Sequence, residues 1–235
     1  MLEGSIPSEI FTTLSRLRHL NVRFNKLNGS ILEEIGQLQQ LRQLKLGNNS
    51  FIGAIPKALG NCSSLDMLSL FSNSFYGYIP TELGSLTLLQ VLQLDENSLG
   101  GSIPSSLMNC IELKFLSLKH NKFAGTIPED IGYKLPKLEA IFLRGNNLSG
   151  SLPKSLGNYS AVYALSTRDK KLSGVIPQEL GMLSRLQSLG LHMNSFHEFV
   201  FPFLLNCTQL RVVSLVVNRF EGSILVNIGL KLTNL

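Results

Sequence analysis

Apolar positions, mostly leucine, recur along the chain with a period of 24 residues. Dividing the chain at Leu14 and at each later equivalent residue gives nine units over 14–231, two of which contain one additional residue. Residues 1–13 read as the second half of an earlier unit, and 232–235 read as the start of another. This period is typical of repeat arrays in which each unit packs against its neighbours. We therefore expect one array over 1–235 rather than several separate domains.

Within each unit, the spacing of apolar and polar residues predicts a short strand followed by a turn. Leu68 and Leu70 stand two positions apart, so both point to the same side of a strand. One unit cannot bury its leucines alone, and stacking is expected to join the strands into a parallel sheet. Asn73, at the twelfth position, is expected to turn the chain and to hydrogen-bond unpaired backbone groups. Gly77 and Pro80 favour a constrained return segment.

The element N-x-L-x-G-x-I-P, as at Asn97–Pro104, recurs with the 24-residue period along the chain. It resembles the plant-specific class of leucine-rich repeat, found in ectodomains of receptor-like kinases and receptor-like proteins and in secreted polygalacturonase inhibitors. The resemblance implies an α/β-type repeat solenoid. Its expected form is a right-handed superhelix with a parallel concave β-sheet and short 3-10 or irregular convex segments.

The same resemblance implies a non-catalytic recognition module. Its expected ligand is a peptide, a microbial pattern or a protein such as a co-receptor ectodomain, and its expected roles are signalling and pathogen perception. Its expected location is the extracellular face of the plasma membrane or the apoplast, and any kinase domain would lie outside this sequence. Two alternatives remain open: a secreted inhibitor resembling those of polygalacturonases, and a truncated receptor fragment without function.

Charge and targeting signals narrow the classes of partner. The chain has 21 Lys and Arg against 16 Asp and Glu, a formal charge of +5, without a run of five like charges, so no nucleic-acid partner is expected. No apolar stretch is long enough to span a bilayer, and the N-terminus lacks a signal-peptide pattern. Membrane attachment is therefore expected only through a segment missing from this chain. The incomplete first and last units favour a fragment or an incomplete gene product.

The tenth position of each unit, just after the strand leucines, offers the main candidate binding residues. Lys119, Arg144 and Arg168 fall there on three neighbouring strands, where like charges side by side are slightly unfavourable. An acidic peptide, a carboxylate or a sulfated group would offset the repulsion. The alternative is that Glu139 and Asp169 neutralise these cations. The remaining candidates on this face are Phe71, Asp95, Phe142, His192 and Val216.

An apolar group at the C-terminal end of the same face gives a second candidate surface. Met193, Val212, Val216 and Val217 are expected on a side of the sheet that faces water. A partner protein would cover such a patch, and so would additional repeat units.

The three cysteines and the missing catalytic motifs indicate neither a metal site nor catalysis. Cys62, Cys110 and Cys207 all begin a unit, and strand spacing places the nearest two about 10 Å apart, beyond the reach of a disulfide. We expect buried free thiols. His197-Glu198 lacks the second histidine of a zinc-protease motif, and no phosphate-binding loop occurs. Neither an enzyme, a metal site nor a cofactor is expected.

Sequons provide candidate modification sites, although N-x-S also arises easily in repeats rich in Asn and Ser. The candidates for glycosylation are Asn28, Asn61, Asn147, Asn158 and Asn206. Asn48 also lies in a sequon, but a glycan there would obstruct the sheet. Two units depart from the pattern and predict local irregularity: Thr167 and Lys170 replace the usual Leu and Asn in one, and Glu198 and Phe201 replace Gly and Pro in the next.

Overall fold

The computed structural model describes residues 1–168, 171–198, 201–223 and 228–235. Its strands, numbered along the chain, are β1 (Glu3–Ser5), β2 (His19–Asn21), β3 (Lys26–Asn28), β4 (Gln43–Lys45), β5 (Ile52–Gly53), β6 (Met67–Ser69), β7 (Ser74–Gly77), β8 (Val91–Gln93), β9 (Ser98–Gly101), β10 (Phe115–Ser117), β11 (Lys122–Gly125), β12 (Ala140–Phe142), β13 (Asn147–Leu148), β14 (Ala164–Ser166), β15 (Ser173–Val175), β16 (Ser188–Gly190), β17 (Ser195–Glu198), β18 (Val212–Ser214) and β19 (Arg219–Phe220).

One strand from each unit joins a parallel sheet. Within the described ranges this sheet has nine strands, the even-numbered β2 to β18 in chain order. The register places Leu44, Leu68 and Leu92 side by side. Leu68 and Leu70 are both fully buried, which confirms that the strand leucines face the core. The array is thus a solenoid with a continuous apolar interior.

A second set of strands follows the turn in each unit, and the sequence analysis did not predict it. In the described part of the chain these strands form parallel ladders of two (β1, β3), five (β5 to β13, odd-numbered) and three (β15, β17, β19). Buried residues in and next to these strands also stack between units, as the rings of Phe51 and Phe75 do at 6.3 Å between centroids. The segment after the turn therefore forms additional small parallel sheets rather than irregular chain.

Asparagines at the twelfth position connect successive units. Asn73 Nδ2 donates to the carbonyls of Leu46, Leu70 and Phe71 at 3.1 Å, and its Oδ1 accepts the Phe51 N–H at 3.0 Å. The side chain thereby binds its own turn and the preceding unit at once. The same arrangement, with small variations, recurs at Asn49, Asn97, Asn121, Asn146, Asn194 and Asn218. We call these residues, together with Asn73, the asparagine ladder.

The side opposite the nine-strand sheet is built mostly from single helical turns. The 3-10 helices are Glu33–Gln37, Lys57–Asn61, Thr81–Ser85, Ser105–Asn109, Lys154–Asn158 and Gln178–Met182, and the α-helices are α1 (Ser8–Thr13), α2 (Ile131–Lys134), α3 (Phe201–Leu204) and α4 (Ile228–Lys231). The fold class expected from the repeat, a solenoid with short 3-10 segments, is confirmed. None of the described helices is long and apolar enough to cross a membrane.

The two single-residue insertions explain two of the α-helical turns. In a 24-residue unit the turn closes by an i to i−3 bond, as from the Leu86 N–H to the Leu83 carbonyl at 3.1 Å. In the longer units, Leu135 and Leu232 instead donate to the carbonyls four residues earlier, which belong to Ile131 and Ile228. One added residue converts a 3-10 turn into an α turn, so the core contact is preserved.

The structure shows the surroundings of two residues that were predicted to break the repeat pattern, Glu198 and Thr167. Glu198 occupies the glycine position of its unit and adopts the left-handed conformation, with φ of +65°. Thr167 is buried, and its Oγ1 has no hydrogen-bond partner among the described residues. Lys170 lies outside the described residues.

Replacing Asn73 with alanine tests the asparagine ladder. The change leaves three carbonyls and one N–H of two units without their partner, so the free energy of unfolding should fall by about 2–4 kcal/mol. Urea unfolding followed by circular dichroism measures the loss. Asn109→Ala is the matched control, since Asn109 is an exposed asparagine at the end of a 3-10 helix. Equal stability of the two variants would contradict the role given to the ladder.

Glu198→Gly should stabilise the protein by about 1 kcal/mol, because glycine adopts a left-handed backbone without the steric cost that a side chain incurs. The substitution also removes the exposed pair between Glu198 and His197, at 3.9 Å, and losing this pair should cost little stability. The reciprocal change, Gly125→Ala at φ of +81°, should destabilise by a similar amount, since a Cβ there meets only ordinary contacts. Urea midpoints that move in the same direction for both variants would contradict this account.

Candidate ligand-binding face

The exposed side of the nine-strand sheet is formed by the residues that alternate with the buried leucines. It comprises His19, Asn21 and Arg23 in the first unit and the equivalent sixth, eighth and tenth residues of the other eight units. We call this surface the sheet face. The tenth residue of a unit accepts a backbone bond from the eleventh residue of the preceding unit, as at the Lys119 carbonyl, which accepts the Glu96 N–H at 2.8 Å. The candidates predicted at the tenth position therefore lie in one column across the strands.

Most of the net charge of the protein lies on the sheet face. Its positions carry five cations, Arg23, Lys45, Lys119, Arg144 and Arg168, and one carboxylate, Asp95. Since the whole chain has a net charge of +5, the remaining surface is close to neutral. We call Lys119, Arg144 and Arg168 the basic column.

Four lysines elsewhere on the protein have acidic partners, whereas the basic column has none among the described residues. Lys57 and Lys154 pair with Glu82 and Glu179 in the next unit, each at 3.6 Å. Lys26 and Lys137 pair with Glu3 and Glu112. Across the residues that the structure describes, no ion pair reaches the basic column or the exposed Glu139. Asp169, the other residue expected to neutralise the column, lies outside them.

The basic column is held by apolar and soft contacts. The Lys119 ammonium lies 5.7 Å from the centre of the Phe142 ring, and Phe142 packs against Phe115 at 5.5 Å between centroids. Arg168 Nε donates to the Met193 sulfur at 3.0 Å, a weak acceptor. Arg144 Nε is shielded from solvent and finds no hydrogen-bond partner in the described part of the chain. These guanidinium and ammonium groups therefore keep donors for an anion.

His192 continues the column into the next strand, and the charges of the column affect its pKa. Burial lowers the pKa of His192, and the positive charges of Arg168 and Arg144 lower it further. Because the pKa in the folded state lies below that of the unfolded chain, His192 contributes stability above the unfolded pKa, and this contribution is lost as pH falls through the folded pKa. The imidazole thus adds a neutral group to the end of the basic column near pH 7.

Asp95 was predicted as a binding residue, and the structure places its carboxylate in an internal role. Only 4% of Asp95 is exposed, and Oδ1 accepts the Ser117 hydroxyl and the Lys119 N–H. The carboxylate therefore helps to position the strand end that carries Lys119 rather than facing solvent.

Phe71 forms an aromatic pair that the sequence analysis missed. Its ring extends over Gly47 in the preceding unit, where a Cβ would come within 2.2 Å of the ring, and reaches Phe24 at 5.9 Å between centroids. Phe24 follows the column position of the first unit and is 57% exposed. The only signal in the sequence was the missing side chain at Gly47, which a unit-by-unit comparison does not connect with Phe24.

The C-terminal valines are exposed, as predicted. Val212, Val216 and Val217 have 58–68% of their surface accessible, while Met193 is half-buried beside Arg168. The structure does not bring this patch into contact with the basic column beyond Met193. It is an apolar end to the sheet face.

The cysteines are buried and free, as predicted. Burial raises the pKa of each thiol to about 11, and the Cys62 sulfur contacts the Ile35 carbonyl at 3.3 Å. All five glycosylation candidates, Asn28, Asn61, Asn147, Asn158 and Asn206, are exposed and lie outside the nine-strand sheet. Glycans at these positions would leave the sheet face open, although glycosylation itself stays a prediction.

Comparison with known proteins identifies the repeat. The family model described as Leucine Rich Repeat matches residues 16–38, 40–62, 88–110, 112–133 and 137–159. The protein is a leucine-rich repeat solenoid. The unmatched part between 62 and 88 has the same strand and 3-10 turn as its matched neighbours. No curated protein matches the chain.

Among solved structures, the solenoid resembles plant receptor ectodomains. A TDR receptor is 31% identical with a TM-score of 0.93, and the match covers 99% of this chain and 40% of that one. The Arabidopsis receptor kinase HAESA, in complex with the peptide hormone IDA and the co-receptor SERK1, is 32% identical with a TM-score of 0.92, covering 100% and 38%. This chain thus spans about two fifths of each receptor structure.

The same architecture also occurs in a protein with another role. A plant ice-binding protein is 25% identical with a TM-score of 0.68, and the match covers 94% of this chain and 78% of that one. Function therefore has to be argued from the exposed residues rather than from the solenoid.

Substituting Arg168 with glutamine should raise the pKa of His192 toward its ordinary value, because one of the two neighbouring positive charges disappears. An NMR titration of the imidazole protons measures this shift. Arg23→Gln removes the same charge from the far end of the sheet face and should leave the pKa of His192 unchanged. A pKa that responds equally to both substitutions, or to neither, would show that the column is not electrostatically connected as described.

Proposed function

We propose that this solenoid is a recognition module that binds an acidic peptide, or an acidic segment of a protein, across the strands of its sheet face. The observation that carries the proposal is the basic column itself: three neighbouring cations, with no acidic partner among the described residues, on a protein whose other surface is nearly neutral. Partly buried cations without acidic partners gain more from an incoming carboxylate than solvated cations do. A ligand lying across the strands would meet Lys119, Arg144 and Arg168 in succession.

The proposal extends to the setting of the protein. Receptor structures with this architecture include complexes with peptide hormones and a co-receptor, and that similarity supports a ligand of the same class here. The single array over 1–235, extracellular exposure, glycosylation and a part in signalling or defence belong to the same proposal. Non-catalytic binding fits the solenoid, because this architecture typically presents a recognition surface rather than a reaction site.

Selection from a random dodecapeptide library tests the function, because the library samples acidic, basic and apolar peptides alike. The unmodified protein should enrich peptides rich in Asp and Glu over the input library. A variant with Lys119→Glu, Arg144→Glu and Arg168→Glu should lose that enrichment, because the column then repels carboxylates. Fluorescence titration with one selected peptide should show weakening with added NaCl.

A matched variant controls for net charge. Lys134→Glu, Arg185→Glu and Lys231→Glu change the total charge equally at exposed positions away from the sheet face, and this variant should retain the acidic selection. Urea midpoints establish that both variants fold. Peptides without acidic enrichment from the unmodified protein, or equal losses in both variants, would overturn the proposal.

A further inference from the structure

The aromatic pair at the N-terminal end of the sheet face has no structural partner above it. Phe24 is 57% exposed, and its ring meets Phe71 edge-on at 65° between the ring planes. Gly47 is the one tenth-position residue without a side chain, and Phe71 lies across it. Two aromatic rings from different units therefore form an open apolar surface, whereas the tenth positions from Asp95 to His192 present polar or charged groups.

Phe24 occupies this place at a cost to the fold. Its φ of +58° lies in the left-handed region, which a bulky side chain rarely adopts. The equivalent residue is also left-handed in most other units, with φ of +49° to +57° at Asn48, Ser72, Glu96, His120, Met193 and Val217, so the conformation belongs to the repeat. What distinguishes Phe24 from most of these residues is its exposed aromatic ring, whose apolar surface is open to a ligand.

Charge on the same face indicates what kind of molecule covers the pair. Arg23 and Lys45 lie beside it, and no ion pair reaches either of them within the described ranges. Between the pair and the basic column the Ser69 hydroxyl bonds Gln93 at 2.9 Å and Asp95 is buried, while the exposed Glu96 accepts the Ser72 hydroxyl beside them, so the surface there is polar and carries no cation. An occupant that joins the two ends must be apolar at one end, polar in the middle and acidic at the other.

We infer that the aromatic pair is a subsite for an apolar side chain of the acidic peptide whose carboxylate binds the basic column. This inference rests on the proposed function and adds a spacing rule to it. Four strand intervals separate Gly47 from Arg144, or about 19 Å at 4.8 Å per strand, which an extended peptide covers in about six residues. The angle between the rings favours an inserted side chain over a flat sugar ring, which needs a flat aromatic surface.

The dodecapeptide selection tests this spacing directly. Peptides enriched by the unmodified protein should carry an aromatic or aliphatic residue about six positions from an Asp or Glu. Phe24→Asn removes the ring and gives the left-handed position a residue that tolerates it, so the variant should fold at least as well as the parent. It should select acidic peptides without the spaced apolar residue, and should bind a peptide selected by the parent about tenfold more weakly.

Two further variants separate a ligand contact from a loss of structure. Phe71→Ala should reproduce the selection profile of Phe24→Asn. Tyr78→Asn removes another exposed ring, one that lies over Gly101 in the next unit but away from the sheet face, and should leave selection and affinity unchanged. Urea unfolding of each variant confirms that the native state is retained.

The possible failures of the two proposals differ. Selected peptides that are acidic but lack the spaced apolar residue would overturn the subsite and leave the proposed function standing, whereas the absence of acidic enrichment would overturn the proposed function itself. Sedimentation velocity tests a second copy as occupant. The protein should sediment as a monomer at micromolar concentration, and a dimer abolished by Phe24→Asn would overturn the peptide assignment.

Discussion

Every other feature of this solenoid depends on the hydrogen bonds that the asparagine ladder makes between adjacent units. Strands of three residues offer too few backbone bonds to hold their neighbours alone. Each asparagine satisfies the carbonyls left open where the chain leaves the strand, and it does so in two units simultaneously. Loss of one such side chain leaves several backbone groups unpaired at once, a cost comparable with that of truncating a buried leucine.

A regular stack creates functional columns from residues that are 24 positions apart. The ladder fixes the register of the strands, and the register places equivalent side chains side by side on the sheet face. Lys119, Arg144 and Arg168 become neighbours only through this stacking. Elsewhere the same periodicity brings Lys57 next to Glu82 and Lys154 next to Glu179. At these positions the stacking of units therefore pairs opposite charges. The basic column has no such acidic neighbour among the described residues and lies on the exposed side of the sheet, which makes it the candidate binding surface.

The repeat spacing was sufficient to predict the nine-strand sheet, the buried leucines and cysteines, and the positions of the basic column. These features follow from one rule applied to each unit. The odd-numbered strands were missed because each has only two to four residues and shows no clear alternation of apolar and polar positions. The burial of Asp95 and the reach of Phe71 across Gly47 were missed for a different reason, since both depend on side chains from adjacent units that a pattern within one unit does not describe.

The central claim is that ligand binding occurs on the sheet face, at the basic column and the aromatic pair. Hydrogen–deuterium exchange with and without a selected acidic dodecapeptide tests it most directly. The account predicts slower exchange in and just after β10, β12 and β14, and near Phe24 and Phe71, with unchanged exchange in the 3-10 helices on the opposite side. Protection centred on Gln178–Met182 and the neighbouring helical turns, with none along the sheet face, would contradict it.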